Sequence, residues 1–411
     1  MNQVPFQQHK ILSVSPIALA AFFLLFGYEF IRAVSDSLFI DAYGADNLPW
    51  VMAAVFPGVY LLIYIYGRLL SRVGANRALL ITSVFSMVMI VIAYSLILRG
   101  YLIATAVIYV FREAYIVLII EQYWSLINSV LSSEQARYVN GPFCGLASLG
   151  SIAGGFLVGQ VATPLGSETL LLFTAGSLLP AAICSSVAYA LTGEPKPSEV
   201  EQGGKFGHTG LRIFFRSRYL ILVALLVVTT QIVSTVLDLR FKGLVEVANP
   251  FKDARTAFLG NFYGTLGIVA AVLQFIATPL LLRLAPIRIV HLSIPVIHLI
   301  TCGILTITPS LWSASTAFLL FKALDYSIFR GGKEIFYIPL PFDARYRAKQ
   351  IIDSFGYRAA KSGSASLIVL LGLANTTFSI IAMIFASIWS VIVFNLTKKY
   401  QDLISSELED G

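Results

Sequence analysis

The chain has 411 residues, of which 57% are hydrophobic and only 12% charged, and its mean hydropathy is +0.80. A soluble domain carries about 25% charged residues, so this composition excludes a water-soluble globular protein and leaves no room for a sizeable soluble domain. The net charge of +7 follows from basic loops on one side of the apolar segments and does not argue for a nucleic-acid partner.

At about 20 apolar residues per spanning helix, plus short loops, the length fits about twelve spans. They are expected near 16–40, 50–70, 77–98, 102–131, 140–163 and 169–191, then 219–243, 256–282, 287–308, 312–340, 350–373 and 376–396. Continuous apolar runs select helices over a closed barrel, whose strands would alternate. The expected fold class is therefore an all-α integral membrane protein.

The first span carries Glu29, Arg32 and Asp36 on one helix face, at i,i+3 and i,i+4 spacing, so the three can pair. A charge at bilayer depth costs at least ~2.5–3.5 kcal/mol, so such groups normally face a partner or a watery cavity. The triad reads either as a structural lock on the helix or as a cavity-lining cation whose acids hold it when the site is empty. The span is too long and too charged for a cleaved signal peptide, and no small-residue cleavage site precedes Asp36.

The loop after the second span, Gly67-Arg68-Leu69-Leu70-Ser71-Arg72-Val73-Gly74-Ala75-Asn76-Arg77, holds Arg72, Gly74 and Arg77 as gating candidates. In the fourth span Arg112 and Glu113 are adjacent and point about 100° apart, so one can face a cavity while the other packs. Glu121, Gln122, Trp124 and Asn128 follow toward the inner end, with Trp124 either an interfacial anchor or a stacking platform for a base. Arg137 lies in the next loop. Gly141, Gly145, Ser151, Gly155 and Gly159 form small-residue spacing suited to close helix packing. Cys144, Cys184 and Cys302 lie in apolar segments without metal-like spacing and read as packing residues.

The stretch 192–216, rich in Pro, Gly and charge, is a linker between a six-helix half at 1–191 and another at 217–400, with an acidic tail at 401–411. Asp238, Arg240 and Lys242 mark the outer end of the seventh span. His291 and His298, in the ninth, read as packing residues or as proton carriers. The tenth span is the most charged. Lys322 and Asp325 stand at i,i+3 and Arg330 and Glu334 at i,i+4, which leaves Lys333 without a local acid and open to a ligand. Gly331-Gly332 between them loosens the helix and admits a substrate to the backbone. Arg345 lies in the following loop, Lys349 with Asp353 reads as a surface pair, and Arg358 and Lys361 share a face beyond. Pro57, Pro142, Pro279 and Pro295 are expected at kinks or span ends.

With the N-terminus inside, inner loops and tails hold 17 Lys and Arg against 5 in outer loops, which places both termini in the cytoplasm. The inner loops also repeat. Arg72 and Arg77 recur as Arg283 and Arg288 at an offset of 211, and Arg137 recurs as Arg345 at 208. A nearly constant offset implies two duplicated, pseudo-symmetric halves.

The loop Gly67–Arg77 resembles the short inner loop of the major facilitator superfamily, with Ser71 where that pattern has Asp. The segment Asp325–Leu340 is similar to the tenth-helix region of the ATP/ADP translocase-like (nucleotide transporter) family. Arg345–Asp353 with Arg358 and Lys361 is similar to its adjoining loop and helix, and Arg32–Ile40 to the first helix of its bacterial members. In the major facilitator fold the central cavity is lined mostly by the first, fourth, seventh and tenth helices, and the intramembrane charges concentrate on three of these. The resemblance implies a secondary transporter in a bacterial inner membrane, working by alternating access between the halves. The excess of cations implies a small anionic solute, nucleotide-like, carried without any cofactor, with H+ as a candidate coupling ion. Arg32, Arg112, Lys322, Arg330 and Lys333 would hold negative groups, helped by Trp124 and Asn128. Glu29, Asp36, Glu113, Glu121, Asp325 and Glu334 would pair those cations or carry the proton. Two alternatives stand beside this: a proton-coupled permease or exporter of another organic solute, and a non-transporting membrane sensor or assembly protein. With no P-loop, HExxH, nucleophile elbow or Cys/His metal spacing, no enzyme and no metal site are expected.

Overall fold

The computed structural model describes residues 4–131, 133–193, 217–340, 352 and 356–409, with backbone alone at 4–12, 128–129, 133–138 and 406–409. Among these residues the chain is a succession of helices without strands. They are α1 (Val4–Tyr43), α2 (Leu48–Val73), α3 (Ala75–Leu98), α4 (Ile103–Val130), α5 (Ser133–Leu165) and α6 (Leu170–Thr192). The later ones are α7 (Arg218–Ala248), α8 (Lys252–Leu284), α9 (Ile287–Ile307), α10 (311–335), α11 (Tyr357–Leu371) and α12 (Phe378–Glu409). Ten are long and apolar enough to cross a membrane. The acidic end to Glu409 continues the backbone of α12.

Helix starts and ends follow local chemistry. Gly74 separates α2 from α3 with φ 83°, a conformation that costs a glycine nothing, and its N–H reaches the Leu70 carbonyl at 3.1 Å. Ser310 and Ser313 close the start of α10 reciprocally: each hydroxyl accepts the other's backbone N–H, at 3.2 and 3.1 Å. Two helices contain a widened π turn, Leu273–Ala277 in α8 and Asp325–Phe329 in α10. In α8 the cause is legible. Pro279 clashes with a regular turn before it, and Thr278 Oγ1 takes up the carbonyl of Leu273 at 2.9 Å.

By contacts the chain forms two units. Unit 1 draws on Met1–Gly44, Pro57–Gly203 and Asn249–Ile268; unit 2 draws on Ala45–Phe56, Gly204–Ala248 and Val269–Gly411. Each unit therefore takes one segment from the other half of the sequence, a pattern that loop repeats do not reveal.

Unit 1 is built around α1, which packs on α4, α5 and α6. Small residues allow the approach: a Cβ on Gly150 or Gly154 would collide with the carbonyls of Phe22 or Phe26. On the other side of α5, a Cβ on Gly155 would fall 2.5 Å from the Gly264 nitrogen on α8. The small-residue stripe is thus partly different from the expected one. Ser151 has a polar role instead, and Gly141 meets nothing within 4 Å among the described residues.

Unit 2 centres on α7, which contacts α10, α11 and α12. The histidines of α9 are packing residues. His291 stands 4.7 Å from the Phe336 ring, and His298 stands 4.8 Å from Phe321 and 5.5 Å from Trp389. Gly332 exists in this packing for a steric reason, since a Cβ there would lie 2.5 Å from His291 Nε2. Gly332 makes room for α9, while a Cβ on Gly331 would lie 3.1 Å from Thr278 Cγ2 on α8.

Candidate functional site

Unit 1 gathers the predicted charges of α1 and α4 into one network. Arg112 is buried, and both terminal nitrogens of its guanidinium are engaged by α1. Nη1 donates to the Arg32 carbonyl and to Ser35 Oγ, both at 2.7 Å, and Nη2 stands 2.8 Å from Asp36 Oδ1. Glu113 lies 3.6 Å from Nε, and the Tyr109 ring lies 4.1 Å from the guanidinium carbon. The expected Glu29–Arg32–Asp36 triad is realised differently. Arg32 pairs with Glu29 at 3.5 Å, whereas Asp36 takes its ion pair from Arg112 across the helices. Glu29 also accepts from Ser151 Oγ on α5 at 2.5 Å.

Arg32 keeps its side chain partly open while Arg112 does not. Its guanidinium carbon sits 3.7 Å from the centroid of the Tyr263 ring on α8, and the Tyr263 hydroxyl donates to Asp36 Oδ2 at 3.0 Å. Arg32 is therefore the less buried arginine of this cluster, its side chain 14% exposed against 4% for Arg112. Arg112 is the clamp that fixes the helix beneath it.

Unit 2 brings together a second set. Lys322 is buried in α10 and donates to Ser234 Oγ on α7 at 2.8 Å, with the rings of Phe318, Phe321 and Tyr326 each 5.7 Å from Nζ. Asp325 is buried one turn on, and its Oδ2 has no hydrogen-bond partner among the described residues. Arg330 is exposed, its guanidinium carbon 5.6 Å from the Tyr326 ring, while Lys333 is buried with Nζ 6.0 Å from the Tyr337 ring. Glu334 is half-buried. The π turn lies between Lys322 and Arg330 and displaces their relative facing from regular helical spacing.

The remaining candidates are scattered. Glu121 is exposed and Trp124 half-buried toward the C-terminal end of α4, where Gln122 bonds Thr82 on α3 at 3.3 Å. Arg72 and Arg77 are exposed on either side of Gly74. The side chains of Asn128 and Arg137, and all of Arg345, lie outside the described residues. Sequence reasoning missed Tyr263, Ser35, Ser151 and Ser234. Their signal is weak but physical: a hydroxyl inside an apolar span needs a partner.

The TLC ATP/ADP transporter family model matches residues 2–101 and 307–401. The ADP,ATP carrier protein 1 of Rickettsia bellii (strain RML369-C) is 22% identical, over 98% of this chain and 96% of its own length. That of Chlamydia pneumoniae is 22% identical over 96% of this chain and 93% of its own. Among solved structures, a bacterial homologue of the iron transporter ferroportin in an inward-facing state matches with a TM-score of 0.70 at 12% identity, over 94% of this chain and 98% of that one. A D-xylose–proton symporter matches with a TM-score of 0.65 at 15% identity, over 94% and 98%. At these identities the likenesses show the fold alone, an all-helical membrane fold shared with transporters of known structure.

Proposed function

We propose, from the match of the TLC ATP/ADP transporter family model to residues 2–101 and 307–401, that this chain is a member of that family and carries ATP and ADP across a bacterial plasma membrane by alternating access, one nucleotide exchanged for the other. The observation that carries this reading is the division of labour between two arginines. Arg112 is held by four groups, whereas the side chain of Arg32, beside it, is partly exposed. An arginine fork suits a phosphate because it donates two parallel N–H bonds to two oxygens.

In this reading Arg32 in unit 1 and Lys322, Arg330 and Lys333 in unit 2 take the negative groups of the nucleotide. Glu29 holds Arg32 when no anion is present. Exchange follows physically, because a cation that has left its acid for a phosphate must regain a counter-charge before the site can close without cargo. The halves that rock are 1–191 and 217–400, joined by 192–216. The basic inner loops support cytoplasmic termini.

The test is exchange in proteoliposomes loaded with ADP and given labelled ATP outside, compared with empty vesicles and with an imposed pH gradient. Uptake that requires internal nucleotide supports the exchanger. Uptake driven by the pH gradient in empty vesicles replaces exchange with proton coupling. No nucleotide uptake in either arm removes the substrate assignment.

A further inference from the structure

We propose that Tyr263 is a positioning residue for the anion contact: its ring is the platform that holds the Arg32 guanidinium in the plane in which it meets a phosphate. The inference rests on the reading of Arg32 as a phosphate ligand and adds to it a residue of α8 that no charge pattern marks.

The geometry is a stack anchored at both ends. The guanidinium carbon of Arg32 lies 3.7 Å from the Tyr263 ring centroid, close enough that the group must lie over the face of the ring. A guanidinium on an aromatic face gains a cation–π attraction and keeps its N–H donors at its edge, directed away from the ring. The ring itself is fixed. Tyr263 is 2% exposed, and its hydroxyl donates to Asp36 Oδ2 at 3.0 Å. Asp36 is in turn held by Arg112 at 2.8 Å. Glu29, 3.5 Å from Nη1, steadies the same guanidinium by charge. Removing the ring leaves Arg32 its charge and its acid but lets the plane of the fork turn. A bidentate contact depends on that plane, so an incoming phosphate would then have to order it.

Packing alone would not require a tyrosine here, and the two roles separate by substitution. Tyr263→Phe keeps the ring and loses the bond to Asp36; Tyr263→Leu loses both; Tyr263→Trp offers a stronger face. The measurement is KM and maximal rate for labelled ATP uptake into ADP-loaded proteoliposomes, with Arg32→Gln and the double variant Arg32→Gln/Tyr263→Leu in parallel. Expected are a KM raised about tenfold by Tyr263→Leu with the maximal rate changed by less than about twofold, and a KM within about threefold of the wild type for the Phe and Trp variants. The double variant should be no worse than Arg32→Gln, because the tyrosine acts through the arginine. If Tyr263→Leu is recovered poorly, Tyr263→Met supplies a side chain of volume without a π face and should give the same rise in KM. An unchanged KM in Tyr263→Leu or Tyr263→Met, or additive losses in the double variant, would overturn the inference while leaving Arg32 in place. An unchanged KM in Arg32→Gln would overturn the anion assignment itself, and the role of Tyr263 with it.

Discussion

Arg112 Nη2 and Asp36 Oδ1 lie 2.8 Å apart with both side chains almost wholly out of solvent, 4% and 1% exposed. The pair joins α4 to α1 in the interior of unit 1. It stands one turn from the ion pair between Arg32 and Glu29, which shares the same helix but keeps its arginine partly open. Two arginines that look equivalent in the sequence therefore differ in what they do.

Breaking a buried pair by deleting one partner leaves an uncompensated charge, a loss of about 3–5 kcal/mol. Arg112→Gln is accordingly expected to lower both yield and thermal stability, since Asp36 would stay buried without its cation. Arg112→Gln with Asp36→Asn should recover much of that loss, because no lone charge remains. Arg32→Gln should cost less stability, because Glu29 keeps its hydrogen bond from Ser151, and should lower uptake at least about tenfold. Thermal unfolding of the four purified proteins checks this. Equal destabilisation by the two single arginine variants would contradict the division of roles.

Lys322 has a neutral hydroxyl, Ser234 Oγ, as its hydrogen-bond partner at 2.8 Å, so replacing it by an apolar chain of similar length removes its desolvation cost together with that bond. Lys322→Met should therefore fold normally and lose uptake at least about tenfold, through loss of its point charge toward phosphate. Ser234→Ala should instead lower stability by roughly 1.5–3 kcal/mol, the worth of a hydrogen bond to a charged group. In the Lys322→Met background Ser234→Ala should be nearly silent, since the bond at 2.8 Å is already gone. A double-mutant cycle of melting temperature and uptake rate tests both statements.

What was legible in the sequence divides along physical lines. Helix number and order follow from apolar runs and Lys/Arg loops, because backbone satisfaction in lipid leaves few choices. The pairing of charges is less legible. Spacing along one helix matched Glu29 with Arg32, and it also offered Asp36 to Arg32, yet Asp36 is paired with Arg112, 76 positions away. Tyr263 and Ser234 were invisible for a related reason: an uncharged hydroxyl in an apolar span leaves almost no mark on hydropathy, and its partner lies on another helix. The π turn at Asp325–Phe329 defeats fixed i,i+4 arithmetic across α10, and nothing in its local sequence resembles the proline that explains the turn in α8.

Gly332 tests the packing account of the glycine pair. A methyl group there would meet His291 Nε2 at 2.5 Å, with the His291 ring already packed on Phe336 at 4.7 Å. Overpacking of this kind costs typically about 1–3 kcal/mol. Gly332→Ala should lower the melting temperature, and His291→Ala in the same chain should relieve part of the loss. If Gly332→Ala were as stable as the wild type yet deficient in uptake, the glycine would serve the cargo and not the neighbouring helix.

Two glycines of α5 that share one sequence motif should respond in opposite directions. A Cβ on Gly155 would stand 2.5 Å from the Gly264 nitrogen and 3.0 Å from the Gly260 carbonyl, both backbone atoms that cannot swing aside. Gly155→Ala should therefore cost about 1–3 kcal/mol by forcing α5 and α8 apart. Gly141 lies in the same helix with nothing within 4 Å of its virtual Cβ among the described residues. There Gly141→Ala should stabilise by about 0.5–1 kcal/mol, through the lower conformational entropy of alanine in the unfolded chain. Melting curves of the two variants side by side decide the matter. A loss at Gly141 equal to that at Gly155 would mean that the stripe packs along its whole length, as its spacing alone suggests.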